Sequence, residues 1–303
     1  QLEISGQGTA PHVERNTVRD ASEAGGALCH RGAAGLLAGN IFFGHGRANV
    51  RVSSGATTRI IANEIRNGGD AGLVISSGAA PLVARNDVSA NRKAGVLVFG
   101  EATRPLLVGN RIHHGEQSGL YFYAQASGEL RRNDIFANRG PGVLVTEASD
   151  PLLVENLIRE GEDAGVLVHE AGKGTLIANN VHSNRTYGVA ALKDGAPTVR
   201  ANWLHGLRQG GILVDEGGKG EYLHNDIESN AKSGVTLRGG CFPILRSNLI
   251  RNGHDSGVHA MLGGGGLIED NDIFENAQVS GFSDLERLLL LCAHKPTLWP
   301  TTA

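Results

Sequence analysis

The chain has 303 residues, 40% of them hydrophobic, with 44 glycines and a formal charge of −3 at pH 7. Because it offers no basic field, we do not expect nucleic acid as its main partner. It has no apolar run long enough to span a bilayer, so we do not expect a membrane partner either. The cysteines Cys29, Cys241 and Cys292 match no zinc spacing, which indicates free thiols in a reducing, cytoplasmic or also nuclear compartment.

The chain opens with a short apolar segment and then enters a repeat. QLEIS (1–5) is typical of a strand, and since no polar cap precedes it, we expect a further segment before Gln1. An asparagine then returns every 23 residues, with two steps of 24. The twelve positions are Asn16, Asn40, Asn63, Asn86, Asn110, Asn133, Asn156, Asn179, Asn202, Asn225, Asn248 and Asn271. A fixed period of this size indicates a solenoid.

The apolar residues within each repeat predict strands. They lie three residues before the asparagine, two after it, and at the tenth and twelfth positions after it, as in Val143 and Val145. Period-two pairs of this kind are typical of strands, and the spacing lacks the signature of a leucine-rich repeat. We therefore predict an all-β, right-handed parallel β-helix of about twelve coils over residues 1–282.

Two positions are assigned structural roles at the corners of the coils. The asparagine is expected to tolerate left-handed backbone and to bond to the asparagine of the next coil, forming a ladder from Asn63 to Asn271. A glycine nine residues after it, present in ten of the twelve repeats, is expected to supply a positive φ. Proline, five residues before the asparagine, alternates with glycine in most repeats, which indicates a unit of two coils.

The last segment follows a different pattern. Ser283 and Glu286 form a capping-box signature before the apolar run that begins at Leu285. For residues 283–303 we predict a tail with a short capping helix that packs over the last coil, the alternative being an unstructured tail from a differently spliced end.

One outward stripe is the candidate binding surface. Parallel stacking aligns outward residues of the strand that follows the glycine, and three of them are aromatic. The predicted protein-binding residues are Val74, Leu97, Phe99, Tyr121, Tyr123, Leu144, Leu167, His169 and Leu213. Contiguous apolar stripes with tyrosines are typical of protein contacts.

The histidines of two segments are candidates for a catalytic or a metal site, and a structural or solvated role is the alternative for each. The same outward residues are the wrong chemistry for an anionic sugar, and Gly44-His45-Gly46 lacks the paired aspartates that would accompany it in a polygalacturonase. His182, His205 and Glu228 share one outward column, but the outer pair would lie about 10 Å apart, which suits a solvated column better than a metal. We therefore predict no catalytic residue, no metal and no cofactor.

Longer strings carry a resemblance to a known family. The β-helix repeats of the F-box only proteins 10 and 11 resemble two strings of this chain, RRNDIFANRGPGVLV and EAGKGTLIANNVHSN. Because this sequence lacks a Cys/His-rich zinc module, the resemblance to protein 10 is the stronger. The resemblance implies a β-helix that recognises substrate proteins of an SCF-type ubiquitin ligase. Skp1 and cullin would join through an F-box that this sequence lacks. The alternatives are a carbohydrate-binding or polysaccharide-active β-helix and a purely structural scaffold.

Overall fold

The chain winds into a parallel β-helix in which every coil contributes one strand to each of three sheets. The computed structural model describes residues 1–278 and the strand Gly281–Phe282, and all regular structure there is β-strand. The sheets contain 13, 12 and 12 strands, which we name sheets A, B and C. The predicted all-β solenoid of about twelve coils is thereby confirmed.

Sheet A follows the long turn of each coil, and the first and third residues of its strands as far as Val258–Ala260 point into the core. Its strands are Leu2–Ser5, Ala27–His30, Val50–Val52, Leu73–Ser76, Val96–Phe99, Leu120–Tyr123, Val143–Val145, Val166–Val168, Val189–Ala191, Ile212–Val214, Val235–Leu237, Val258–Ala260 and Gly281–Phe282.

Sheets B and C lie on either side of the asparagine corner. In sheet B the apolar residue second from the end of each strand points inward, and in sheet C the middle residue of each strand does so. The strands of sheet B are His12–Glu14, Leu36–Ala38, Arg59–Ile61, Leu82–Ala84, Leu106–Val108, Ser127–Arg131, Asp150–Val154, Thr175–Ile177, Thr198–Arg200, Glu221–Leu223, Ile244–Arg246 and Leu267–Glu269. Those of sheet C are Thr17–Arg19, Ile41–Phe43, Glu64–Arg66, Asp87–Ser89, Arg111–His113, Asp134–Phe136, Leu157–Arg159, Asn180–His182, Trp203–His205, Asp226–Glu228, Leu249–Arg251 and Asp272–Phe274.

The strands pair without a shift in register, so equivalent residues of successive coils form straight columns. Ile135, Ile158 and Val181, for example, pair in sequence and are almost completely buried. One continuous apolar core runs through the solenoid, and each coil buries its inward side chains only against its two neighbours. Columns on the outside are aligned in the same way.

The asparagines between sheets B and C form a buried ladder. The backbone N–H and the Nδ2 of Asn133 both donate to Asn156 Oδ1, at 3.0 and 2.9 Å, and Nδ2 also donates to Leu107 O at 3.1 Å. The same pattern links neighbouring asparagines from Asn16 to Asn271. Corner groups that would otherwise be buried without partners are therefore satisfied coil by coil.

The backbone at these corners differs from the expectation in two ways. The left-handed residue is the one before the asparagine, such as Arg132 with φ 52° and Glu155 with φ 54°, and no ladder asparagine has a positive φ. The repeated glycine has no positive φ either. Its role is close approach, because a Cβ on Gly142 would lie 2.6 Å from Ile158 Cγ2 and 2.7 Å from Gly165 O. The asparagines form the predicted ladder, but the left-handed backbone lies one residue before them; the glycine was placed correctly and assigned the wrong physical role.

The two-coil unit has a direct structural cause. The backbone N–H of Gly115 donates to Asn138 Oδ1 at 3.0 Å. A Cβ at position 115 would lie only 3.1 Å from that oxygen, so glycine leaves room for the asparagine side chain. In the same two coils, Gly128 lies against Pro105, with its Cβ position 2.8 Å from Pro105 O. The asparagine–glycine contact and the glycine–proline contact therefore join the same pair of coils.

The predicted capping helix lies outside the described residues, as does Cys292. Cys29 and Cys241 are buried free cysteines, and burial raises the pKa of both thiols. Nowhere in the described part of the chain is there a helix long and apolar enough to cross a bilayer.

Candidate functional site

The predicted stripe lies on the outer face of sheet A, in two adjacent columns. One column contains Val74, Leu97, Tyr121, Leu144, Leu167, Ala190 and Leu213, and the other contains Phe99, Tyr123 and His169. The straight register therefore brings these residues together along the axis of the solenoid.

Two members of the stripe are covered and offer no surface. Val74 is 5% exposed and packs with Ala48 and Ala71, which belong to the turns between sheets C and A. Leu213 is 6% exposed and packs in a second small cluster with Ala164. The expectation of a continuous open stripe is corrected at these two positions, because small turn residues fold back over the sheet. The other seven predicted residues are half-buried.

The three aromatic residues form one group at the centre of the face. The Phe99 and Tyr123 rings stack with centroids 4.9 Å apart, and Tyr121 lies 5.0 Å from Tyr123. Thr146 Oγ1 lies 3.4 Å from the Tyr121 hydroxyl. Burial raises the pKa of Tyr123, and the neighbouring Tyr121 and Glu147 act in the same direction. The Tyr123 phenol is therefore protonated at neutral pH and can donate a hydrogen bond.

A polar cavity of about 510 Å³ lies toward the N-terminal end of sheet A, and its lining includes Ala48 and Val74 of the small cluster against which Phe99 packs. Its lining includes His30, Arg47, Arg51 and Asp70. Arg51 pairs in register with Val74, so it stands in the same column as the apolar stripe. Among the smaller influences on the pKa of Tyr123, Arg51 lowers it and Asp70 raises it.

The charges of the cavity are only partly compensated. Lys93 Nζ lies 3.0 Å from Asp70 Oδ1, and His30 lies 2.9 Å from Glu3. Arg47 and Arg51 are exposed and form no ion pair with the described residues. The face of sheet A therefore carries cationic side chains in the coils that precede the aromatic group.

Sequence reasoning missed this cavity. The stripe was counted from the repeated glycine, but the coil of Arg51 has Asn49 in that place, so its outward residues were passed over. The position two residues after Asn49 would have identified Arg51. The judgement that this face is the wrong chemistry for an anionic sugar was made without Arg51.

His45 has a structural position inside the wall of the solenoid. It is 1% exposed, and its Nδ1 lies 2.6 Å from Asn49 Oδ1. It occupies the place taken in other coils by the paired-coil asparagine, such as Asn91. A side chain buried in this way is not placed to meet a ligand on the surface.

His182, His205 and Glu228 lie in one column on the outside of sheet C, as the repeat predicts. The His182 and His205 rings stack with centroids 4.9 Å apart. Glu228 accepts from Trp203 and pairs with Arg251. Among the residues that the structure describes, no group of three or more His, Cys, Asp or Glu is arranged to hold a metal ion.

Comparison with known proteins identifies the fold. A family model described as the right-handed β-helix region matches residues 48–204 and 193–285. The Azotobacter vinelandii mannuronan C-5 epimerase AlgE4 A-module is 14% identical, with a TM-score of 0.68 over 93% of this chain and 89% of that one. The AlgE6 A-module of the same organism is 13% identical, with a TM-score of 0.65 over 90% and 88%. The periplasmic alginate epimerase AlgG is 11% identical, with a TM-score of 0.58 over 87% and 74%.

No curated protein matches the chain. The solved structures nevertheless overturn the prediction that the chain is not an enzyme, because these similar folds are named as epimerases. The prediction treated the fold as a scaffold for recognition only. The same fold serves catalytic proteins.

Proposed function

The chain belongs to the right-handed β-helix family, and on that premise we propose that it is a polysaccharide-active protein that binds an acidic saccharide along the outer face of sheet A. The observation that carries the proposal is that Arg51, which forms no ion pair with the described residues, stands in the same outward column of sheet A as Tyr121. The similar solved structures, named as alginate and mannuronan epimerases, support the same class of substrate.

Each part of the site suits one part of such a ligand. The guanidinium of Arg51 can hold a uronate carboxylate through two parallel hydrogen bonds. The faces of Tyr121 and Tyr123 carry negative π density, on which the C–H face of a sugar ring packs favourably. The Tyr123 hydroxyl, kept protonated by burial, can donate to a sugar oxygen. A saccharide along the solenoid axis would contact both regions.

The same residues offer the elements of proton transfer at a uronate. Removal of the proton next to a carboxylate is easier when a cation neutralises that carboxylate, which is a role for Arg51. Asp70 supplies a carboxylate that can accept a proton, and Tyr123 supplies a phenol that can return one. We therefore propose proton exchange at a uronate as the reaction of this site.

The test is a titration with a defined oligomannuronate, followed by nuclear magnetic resonance of the sugar protons in D₂O. We expect Arg51→Ala to weaken binding by about tenfold or more, since a charge-assisted pair contributes roughly 1.5 to 3 kcal/mol. Arg59→Ala is the matched control, because Arg59 is equally exposed but lies on sheet B. Equal binding of neutral and acidic oligosaccharides would contradict the proposal, as would equal effects of the two substitutions.

The apolar part of the same face favours a second candidate, recognition of a protein. Half-buried Leu97, Leu144 and Leu167 continue the aromatic group along the axis. A partner with an apolar patch could dock there, as the resemblance to the F-box only proteins implies for ubiquitin-ligase substrates. Pull-down of partners with Leu144→Asp/Leu167→Asp distinguishes the candidates. Loss of capture with intact oligomannuronate binding would favour protein recognition.

A further inference from the structure

The outer face of sheet C carries a slab of three parallel rings that the proposed site does not use. The centroids of Trp203 and His205 are 3.8 Å apart with an angle of 23° between planes. His205 stacks in turn on His182, with centroids 4.9 Å apart and the same interplanar angle. Trp203 is 42% exposed, and since His205 covers one of its faces, the open area lies on the opposite face and edge.

Side chains of the neighbouring coils hold this slab in place. Trp203 Nε1 donates to Glu228 Oε1 at 2.9 Å, and Glu228 is itself paired with Arg251. His205 Nε2 donates to Asn180 Oδ1 at 3.0 Å. An exposed tryptophan fixed in one orientation loses little side-chain entropy when a ligand packs on it.

Both histidines of the slab are neutral rings at neutral pH. Burial lowers the pKa of His182, with the positive charge of Arg159 acting in the same direction. Burial also lowers the pKa of His205, and the neighbouring His182 acts likewise. The slab therefore presents an aromatic surface and adds no fixed charge of its own.

The turns that follow the strands Leu157–Arg159, Asn180–His182 and Trp203–His205 line a cavity of about 520 Å³. The charged side chains near the slab lie in this cavity. Arg185 and Arg208 line it in successive coils, are exposed, and form no ion pair with any described residue. Glu160, in the same cavity, is already paired with Arg159 at 2.9 Å. Because Arg159 is shared with Asp134, Glu160 and Glu162 balance the formal charges of Arg185 and Arg208. Glu160 already has a partner, however, whereas the two arginines form no ion pair with the described residues.

We propose that the Trp203 slab and the Arg185–Arg208 cavity form a second site for an acidic saccharide, separate from the face of sheet A. A sugar ring packs on the exposed part of Trp203, the oligosaccharide passes over the outer edge of His205, and a carboxylate further along it binds Arg185 and Arg208. Three residues of extended chain, or roughly 10 Å, separate Trp203 from Gly206 at the cavity edge. A short oligosaccharide spans that distance.

The ligand class rests on the proposed function, whereas the location of the site does not. Two sites on different faces of one rigid solenoid would bind two stretches of the same polymer or two chains. The second site would therefore raise the local concentration of polymer around sheet A.

The fluorescence of Trp203 can report ligand binding at this site directly, since the chain has only two tryptophans. In a Trp299→Phe background, an oligouronate should change the Trp203 fluorescence saturably. Arg185→Ala/Arg208→Ala should weaken that response by about tenfold or more. Glu162→Gln should strengthen it, because the opposing carboxylate is removed. Arg51→Ala, on sheet A, should leave it unchanged.

The outcomes separate the two proposals. A Trp203 response in a parent protein that shows no binding at sheet A would refute the proposed function and leave the second site standing. The absence of a Trp203 response in a folded protein would overturn the second site. So would a response that Arg185→Ala/Arg208→Ala leaves unchanged, or one that Arg51→Ala abolishes. A response to adenosine monophosphate but not to the oligouronate would replace the saccharide with a nucleotide. Calorimetry on Trp203→Ala provides the independent measurement.

Discussion

The asparagine ladder makes a quantitative prediction at Asn156. In Asn156→Ala the backbone N–H and one amide N–H of Asn133 lose their shared acceptor, Asn156 Oδ1. Both groups are buried, and each stranded buried donor costs about 1 to 3 kcal/mol. We therefore expect the free energy of unfolding to fall by at least about 2 kcal/mol.

Urea denaturation followed by circular dichroism measures this change. Asn180→Ala is the matched control, since Asn180 is half-buried on the outside of sheet C and bonds only to His205 through its side-chain oxygen. Leu157→Ala removes an outward apolar side chain from the coil that contains Asn156. We expect both controls to stay within about 1 kcal/mol of the parent. Losses as small at Asn156 as at the controls would refute the ladder as a source of stability.

Two further predictions concern the corners and the pH dependence of stability. Gly142→Ala should destabilise the fold by about 2 kcal/mol or more through overpacking, whereas Ala137→Gly, at φ 52°, should change it by no more than about 1 kcal/mol. Equal losses in thermal unfolding would contradict these roles. Because burial lowers the pKa of His205, the unfolded chain takes up its proton first as pH falls, so stability is complete above the ordinary histidine pKa and declines below it. His205→Gln should flatten the decline in melting temperature between about pH 7 and pH 5, and an unchanged slope would count against this account.

The repeat made the inside of the solenoid predictable. Inward residues such as Ile158 and the corner residue Asn156 face the same neighbours in every coil, so the same residue types recur and are visible in a single sequence. The backbone roles at the corners were less accessible. A left-handed position at Glu155 tolerates many residue types once the ladder fixes the corner, and it therefore leaves no compositional trace.

The outer faces were predicted only in part, because no periodic constraint acts on them. The columns were placed correctly, but the cover of Val74 by Ala71 depends on how a turn folds back, which residue spacing does not encode. Arg51 was missed because its coil is irregular. The stacking of Trp203 on His205 depends on side-chain rotamers that Glu228 and Asn180 select from neighbouring coils.

The interlocking of Asn138 with Gly115 and of Gly128 with Pro105 limits how such a chain can change length. Loss of a single coil, such as the coil of Asn133, would set Gly115 over Gly161 at one corner and Pro105 over Pro151 at the other. Loss of two coils restores both contacts. Where proline and glycine alternate, from Pro105 to Gly266, viable variants should therefore differ by an even number of turns, and any site spread over one face would move along the axis in strides of roughly 10 Å.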